Sequence, residues 1–285
     1  MKIAIIVNLT KEKAISCAEK IATLFHENDA GVCMPIDCRE HFNLNFIKYY
    51  YNINQLFEHC DIAVTVGGDG TIIHAAKYAA VTQTPLIGVN VGRLGFAADV
   101  EPDEIESLTA LLTGDYTTEN RILLDIEVQK DGNSLSYLAV NDAVIAHGQL
   151  SKIVDLSLSL DGEEISKYRA DGLLFSTPTG STAYSLSAGG PIISPQMQCI
   201  LMTPVCPHSL FSRSVLFEST ATLSVRVKID DGYNCLLTID GEDNIDIGEN
   251  DSVIIRKSEL TLKLLSVKNR NFYRKLNEKL KEREL

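Results

Sequence analysis

An apolar run at 61–66 delivers the chain into Gly67-Gly68-Asp69-Gly70-Thr71, and a helical pattern over 72–80 follows at once. Strand, glycine-rich turn and helix in direct succession leave few architectures open. In open α/β sheets, ligands bind at the carboxyl ends of the strands. A helix start offers unpaired N–H groups and a positive partial charge, and glycines let the backbone come close to phosphate oxygens. A carboxylate inside such an anion-friendly turn, here Asp69, is useful if it takes a proton from an attacking hydroxyl or steers Mg²⁺. Taken alone, an Asp-Gly turn with Asp69 as a plain N-cap is the simpler reading. The five-residue run straight after a buried strand favours function. It is neither a Walker A loop, which needs Gly-Lys-Ser/Thr, nor a GxGxxG fingerprint.

The surrounding pattern agrees with an α/β layer. Residues 3–7 read as a short buried strand, 11–26 carry helical spacing, 85–89 are a third buried strand and 102–112 another helix. Strands alternating with helices argue for a parallel sheet. After Gly114 the texture changes to short β-rich runs at 123–128, 135–146, 153–160, 173–176, 221–229, 235–239, 252–256 and 260–265. Asp131-Gly132, Asp161-Gly162 and Asp231-Gly232 punctuate them as hairpin turns. The expectation is a first domain over 1–117 and a mostly β sandwich over 118–267, with a charged helical tail, 268–285, packing back on the first domain.

A second candidate segment spans 176–190. It is dense in hydroxyls and small residues, and includes Thr182, Ala183, Tyr184, Ser185, Leu186 and Ser187. Such a loop can offer backbone N–H and hydroxyl groups to phosphates and a ribose, and Tyr184 can stack on a base. A Ser/Thr-rich surface loop is the bland alternative. Asn141-Asp142 closes a hydrophobic strand and can accept from paired sugar hydroxyls. Arg169 can meet a phosphate, and Asp171 can accept from an amine or amide. For each of these a turn with a surface ion pair is the plainer reading. Gly88 to Phe96 forms a further Gly-rich turn after a strand, where Phe96 also fits simple core packing. His74, a helical turn past Asp69, suits an exposed helix face as well as a ligand.

Bulk properties exclude several classes. Hydrophobic residues are 45% of the 285, enough for a sizeable core. A formal charge of −12 argues against non-specific nucleic-acid binding, which runs on basic patches. It leaves a phosphorylated substrate open, because backbone N–H groups, a few cations and Mg²⁺ can override net charge. The seven cysteines show no CxxC spacing, so neither a disulfide framework nor a zinc site is indicated, and no metal-ligating side-chain set stands out. Free thiols fit a reducing cytosol. The first apolar run is too short for a signal peptide or a membrane span, so a cytoplasmic protein with no membrane partner is expected.

Taken together, these segments resemble the NAD kinase family, whose members make NADP from NAD. The match runs from Gly67 to about Glu242, in the family's order. The GGDGT turn alone is shared with diacylglycerol and sphingosine kinases and with phosphofructokinases. The run from Asp171 to Pro191 is specific to NAD kinases, and the run from Pro204 to Ser209 adds to it.

The resemblance implies a NAD kinase/diacylglycerol kinase-like fold, a Rossmann-like parallel sheet followed by a β-sandwich. It makes Asp69 the catalytic proton acceptor for the 2′-hydroxyl of the adenosine ribose, with Gly68, Gly70, Thr71, His74 and Phe96 around the same pocket. Asn141 and Asp142 stand where the family has Asn-Glu, contacting sugar hydroxyls. Arg169 and Asp171 bind the dinucleotide, often from a neighbouring subunit, and Thr182 to Ser187 wrap adenosine. Lys152 and Glu242 fall at further contact positions, with Glu242 where many bacterial members have Gln. ATP or polyphosphate is the implied donor, with a divalent cation such as Mg²⁺, and a homo-oligomer, dimer or tetramer, is the implied assembly. Two rivals share parts of the pattern. A lipid kinase would want a Gly-Thr-x-Asn-Asp-type segment after the next strand, where this chain reads Gly-Val-Asn-Val-Gly-Arg-Leu-Gly. A non-catalytic NAD/NADP sensor would have no need of Asp69.

Overall fold

The computed structural model describes residues 1–92, 98–148, 153–209, 212–228, 235–268 and 271–282. Contacts divide the chain into two compact units, Met1–Asn120 with Thr261–Leu285, and Arg121–Leu260.

The first unit alternates strand and helix: β1 (Lys2–Val7), α1 (Glu12–Glu27), β2 (Gly31–Pro35), β3 (Lys48–Tyr50), α2 (Ile53–Glu58), β4 (Ile62–Gly67), α3 (Asp69–Thr82) and β5 (Leu86–Asn90). All its strand pairs are parallel, in the order β3-β2-β1-β4-β5. The end of a long strand, Ser252–Ser266, continues this sheet by pairing Leu264 with Leu86. Strands β4 and β5 are buried along their whole length, as a sheet covered on both faces requires. Ile3, Ile5, Val64, Val66, Ile87 and Val89 share one core with the stripe Ala14, Cys17, Ala18, Ile21, Ala22 and Phe25 of α1. That stripe follows the three-and-four spacing of one helix face. On α3 the small residues Ala75, Ala76, Ala79 and Ala80 are all buried. A Cβ at Gly88 would lie 2.5 Å from Ile72 Cδ1, so glycine is what lets α3 settle on β5.

Sequence periodicity missed β2, α2 and β3. The helix expected over 102–112 is a 3-10 segment, Ile105–Thr109, and a single α-turn, Ala110–Thr113, stopped at Gly114 with φ 78°. The C-terminal helix Phe272–Glu282 belongs to the first unit by its contacts. Ahead of it, the Asp99 carboxylate accepts from the Val267 and Lys268 N–H groups and the Ser266 hydroxyl.

The second unit is a sandwich of antiparallel strands: β6 (Thr117–Lys130), β7 (Asn133–Ala139), β8 (Asp142–His147), β9 (Val154–Leu160), β10 (Glu163–Ala170), β11 (Gly172–Ser176), β12 (Cys199–Val205), β13 (Val215–Glu218), β14 (Leu223–Lys228), β15 (Cys235–Ile239), β16 (Asp243–Ile247) and β17 (Ser252–Ser266). One layer holds β10-β9-β14-β17 with β6 and β7, the other β13-β12-β11-β8-β15-β16. Alternate residues of both, including Ile126, Leu158, Val225 and Ile255 against Ile145, Phe175, Met202 and Leu237, meet in one core. The period of two along each strand produces this facing.

Several expectations need correction. The run 135–146 is two strands in different layers, broken at Val140-Asn141, so Asn141-Asp142 opens a strand rather than closing one. Residues 252–256 and 260–265 are one strand. The strands β10, β12, β13 and β16 gave no readable signal. The turns at Asp131-Gly132 and Asp161-Gly162 have φ of 51° and 75°, and of 49° and 89°, as two-residue hairpins demand. Asp231-Gly232 lies outside the described residues.

Candidate active site

In the first unit, strand order reverses between β1 and β4, and their carboxyl ends flank the crevice where open α/β sheets bind ligands. The Asn8 N–H donates to Val66 O at 2.9 Å, and the Val91 N–H to Gly67 O at 2.6 Å, so the exits of β1, β4 and β5 are tied together. Gly68 is the N-cap of α3 in extended conformation, and Asp69 is the first helical residue. The helix thus begins inside the GGDGT run, three residues earlier than its apolar pattern suggests, and Asp69 is not the cap. A Cβ at Gly67 would lie 2.2 Å from Thr71 Oγ1, so this glycine admits the first turn of α3 against the strand end. Gly70 is exposed, and a Cβ there would meet nothing within 4 Å. Asp69 and Thr71 are half-buried. His74 is exposed and packs edge-on against Tyr78, with ring centroids 5.5 Å apart.

In the second unit, Asn141, Asp142, Ala183 and Tyr184 line a cavity of about 470 Å³ together with Val144, Ala146, Thr238, Asp240 and Gly241. Tyr184 stands 48% exposed at its side. Sequence reasoning missed Asp240. Its carboxylate accepts from the backbone N–H groups of Val140, Asn141 and Asp142 at 3.0, 2.7 and 3.1 Å, and so fixes the strand break that presents the pair. The readable signal was Asp240-Gly241 after the apolar run of β15, a hairpin dipeptide with φ of 51° and 73°. Asp142 is buried, and its carboxyl is pushed up to about 7, first by burial and then by the Asp240 charge.

The segment 176–190 is not a surface loop. Ser176, Thr177, Ser181, Thr182 and Ser185 are buried. Gly180–Thr182 forms a 3-10 turn and Tyr184–Ser187 a helical turn. Its hydroxyls mostly serve the protein. Thr177 Oγ1 donates to Val140 O at 2.7 Å, Ser181 Oγ to Pro178 O at 2.7 Å and Thr182 Oγ1 to Thr179 O at 3.2 Å, while Ser185 Oγ and Thr203 Oγ1 share a hydrogen bond of 3.0 Å. The segment's contribution to the cavity wall is Ala183 and Tyr184; Leu186 is half-buried and Ser187 exposed.

The remaining candidates lie elsewhere. Arg169 is exposed on β10 and lines a different cavity, of about 560 Å³, with Lys167, His208 and Arg213. Asp171 is the link between β10 and β11, its N–H bonded to Val205 O and its carbonyl accepting from His147 N–H. Glu242 is exposed in the hairpin turn after Asp240. Phe96 and Lys152 lie outside the described residues.

The model of the ATP-NAD kinase N-terminal domain matches residues 3–116, and that of the ATP-NAD kinase C-terminal domain matches 140–267. The NAD kinase of Natranaerobius thermophilus is 34% identical over 280 residues, 98% of this chain and 97% of that protein. The chain belongs to the NAD kinase family. The NAD kinase of Geobacter sulfurreducens is 40% identical over 225 residues, 78% of each chain. Among solved structures, yeast NADH kinase complexed with NADH matches with a TM-score of 0.90 at 26% identity, covering 98% of this chain and 87% of that one. An NAD kinase from Archaeoglobus fulgidus in complex with ATP shares the fold, with a TM-score of 0.74 at 22% identity over 99% of both. The family has NAD kinase activity, and this chain carries it as an enzyme; neither the lipid kinase nor the passive sensor is favoured.

Proposed function

We propose that this chain transfers the γ-phosphoryl group of ATP to the 2′-hydroxyl of the adenosine ribose of NAD, with Asp69 as the proton acceptor. The observation that carries the assignment is Asp69 as first residue of α3, at the carboxyl end of β4 beside the strand-order reversal. The 2′-oxygen attacks the γ-phosphorus, the bond from that phosphorus to the β,γ-bridging oxygen breaks, ADP leaves, and the hydroxyl proton passes to the Asp69 carboxylate. Phosphoryl transfer asks the protein chiefly for positioning and charge neutralisation. The start of α3 and the open backbone at Gly70 supply both for the phosphates. Thr71 and the exposed His74 border the same helix start.

Among the described residues no three His, Cys, Asp or Glu side chains converge to cage a metal. That suits Mg²⁺, which is carried by substrate phosphates and needs only one or two carboxylates. Asp69 would be a carboxylate available to such a cation, which when bound would neutralise phosphate charge.

The second unit holds the dinucleotide in this reading. Tyr184 offers a face for a base, with Thr182, Ala183, Ser185, Leu186 and Ser187 forming the backbone around it. Asn141 and Asp142 take ribose hydroxyls, and Asp142, titrating near neutrality, both donates and accepts. Arg169 and Asp171 sit outside that cavity, which supports a role toward a dinucleotide held by a second copy of the chain, while Glu242 follows Gly241 of the cavity wall as a further contact position. Cytoplasmic residence is supported by seven unpaired thiols, and no described helix is long and apolar enough to cross a membrane.

The test is NADP formation from NAD, ATP and Mg²⁺, read with an NADP-specific dehydrogenase. Asp69→Asn is expected to lose roughly 10²–10⁴-fold in kcat with the melting temperature of wild type. Turnover equal to wild type would remove Asp69 from the mechanism.

A further inference from the structure

Two of the seven cysteines are in contact. Cys33 lies in β2 and Cys60 in the link between α2 and β4, and the Cys60 thiol donates a hydrogen bond to the Cys33 sulfur. From this contact we infer that Cys33 and Cys60 form a dithiol site that hydroperoxides oxidise to a disulfide, with Cys33 as the attacking thiol and Cys60 as the resolving one. Neither residue belongs to the candidate active site, so the inference is independent of the kinase reading.

The fold brings the two side chains together. Val32 and Met34 of β2 join the core that α1 covers. Cys33, between them, therefore turns to the opposite face of the sheet. α2 packs against β2, and the chain leaves α2 through Cys60, whose N–H donates to Phe57 O at 3.3 Å. A residue leaving that helix end meets the outward face of β2 at Cys33.

The surroundings divide the roles. Cys33 is lowered to about 7, first by the hydrogen bond from Cys60, with the Lys48 and Lys2 charges adding to it against burial. Cys60 is raised, first as the donor of that bond and then by burial. At neutral pH a large share of Cys33 is thiolate, held beside a protonated neighbour, which is the pairing of an attacking and a resolving thiol. The other buried cysteines lack this setting. Burial raises Cys17 and Cys199, and pushes Cys38 and Cys235 up to about 11.

Cys33 and Cys60 are 2% and 8% exposed, so a peroxide reaches them through local opening. β3 provides it. This strand has three residues, stands at the edge of its sheet, and pairs Lys48 with Cys33. A short strand with one neighbour opens at small cost. The Cys33 thiolate then attacks one peroxide oxygen, the O–O bond breaks, and the departing oxygen takes up a proton, which leaves a sulfenic acid on Cys33. Cys60 sulfur attacks Cys33 sulfur, the S–O bond breaks, and hydroxide leaves as water with the Cys60 proton. Two thiols are oxidised and one hydroperoxide is reduced.

The test treats the reduced full-length protein with hydrogen peroxide, quenches free thiols with a maleimide after unfolding, and maps peptides by mass spectrometry without reductant. A Cys33–Cys60 cross-linked peptide lacking both thiol hydrogens is expected, and dithiothreitol should reverse it. Free Cys33 should disappear about tenfold or more faster than Cys17, Cys38, Cys199 or Cys235. In Cys60→Ser, Cys33 should accumulate as sulfenic acid, trapped by dimedone, whereas in Cys33→Ser no dimedone adduct is expected at Cys60. Cys206→Ser removes the exposed thiol and should give the same cross-link as wild type. Cys33 and Cys60 remaining thiols at a peroxide dose that oxidises Cys206 would overturn the site, as would a cross-link that Cys206→Ser abolishes. An adduct at Cys60 in Cys33→Ser would overturn the order of attack.

Discussion

Two segments of this chain read alike, rich in glycine and hydroxyl residues after a buried strand, and they fold into opposites. At Gly67–Thr71 the backbone ends on open space: Gly70 is exposed, with nothing near its missing Cβ. At Gly180 and Gly190 of the segment 176–190 the backbone is closely packed. A Cβ at Gly180 would lie 2.1 Å from Asn141 O, and one at Gly190 would lie 2.4 Å from Ser185 Oγ. The Thr177 hydroxyl donates to Val140 O and the Thr177 N–H to Asn141 O, which holds Val140-Asn141 in place. In the first segment Gly67 serves close packing and Gly70 leaves open space, whereas Gly180 and Gly190 of the second both serve close approach. In the proposed reading the first meets the phosphates, and the second backs the Asn141-Asp142 wall while lending Ala183 and Tyr184 to the cavity.

Substitutions can break this contrast. The largest pH-independent structural effect is expected at Gly180. Gly180→Ala must displace backbone atoms of Asn141 and should cost roughly 3 kcal/mol, seen as a lower denaturation midpoint with an unchanged slope. A variant as stable as wild type would mean that the packed frame is not rigid.

Next is the buried carboxyl of Asp142. Its folded pKa of about 7 lies above the unfolded value, so the folded state binds the proton more tightly. The associated stability is fully present below the unfolded pKa, near 4, and is lost as pH rises through about 7. Asp142→Asn keeps the shape and removes the titration. It should gain up to about 4 kcal/mol relative to wild type between pH 4 and pH 8, measured by urea unfolding. Parallel pH profiles for the two proteins would show that burial and the Asp240 charge leave Asp142 unperturbed.

The smallest structural effect is expected at Gly70. Gly70→Ala meets no atom and replaces glycine in a helix, so stability should rise by about 0.5–1 kcal/mol. Turnover should nonetheless fall, because the methyl group occupies the side on which the phosphate approaches. Full activity in a stabilised Gly70→Ala would place the ligand away from that backbone.

Much of the fold was legible because local physics specified it. A β-branched, mostly apolar run such as 62–66 reads as a buried strand, and the α1 stripe repeats at helical spacing. Asp-Gly dipeptides marked hairpins because few residues tolerate positive φ at two successive positions. Edge strands such as β13, with exposed Val215 and Leu216, carried no alternation to read. The candidate site divided in the same way. Asp69 and Gly70 declared themselves through a motif contiguous in sequence. Asp240 acts on Val140, Asn141 and Asp142 from about 100 residues away, through contacts that exist only once β8 and β15 pair.

The sequence by itself determined the alternation of strand and helix in the first unit, the β-rich character of the second, the helix-start turn with its carboxylate, and the family. Tertiary structure alone decided that α3 begins at Asp69, that Ser176, Thr177, Ser181, Thr182 and Ser185 are buried, and that Asp142 shares a buried corner with Asp240. The reason is range. Propensity, patterning and turn chemistry act between neighbours along the chain, whereas burial, carboxylate repulsion and backbone approach depend on distances that no single segment sets.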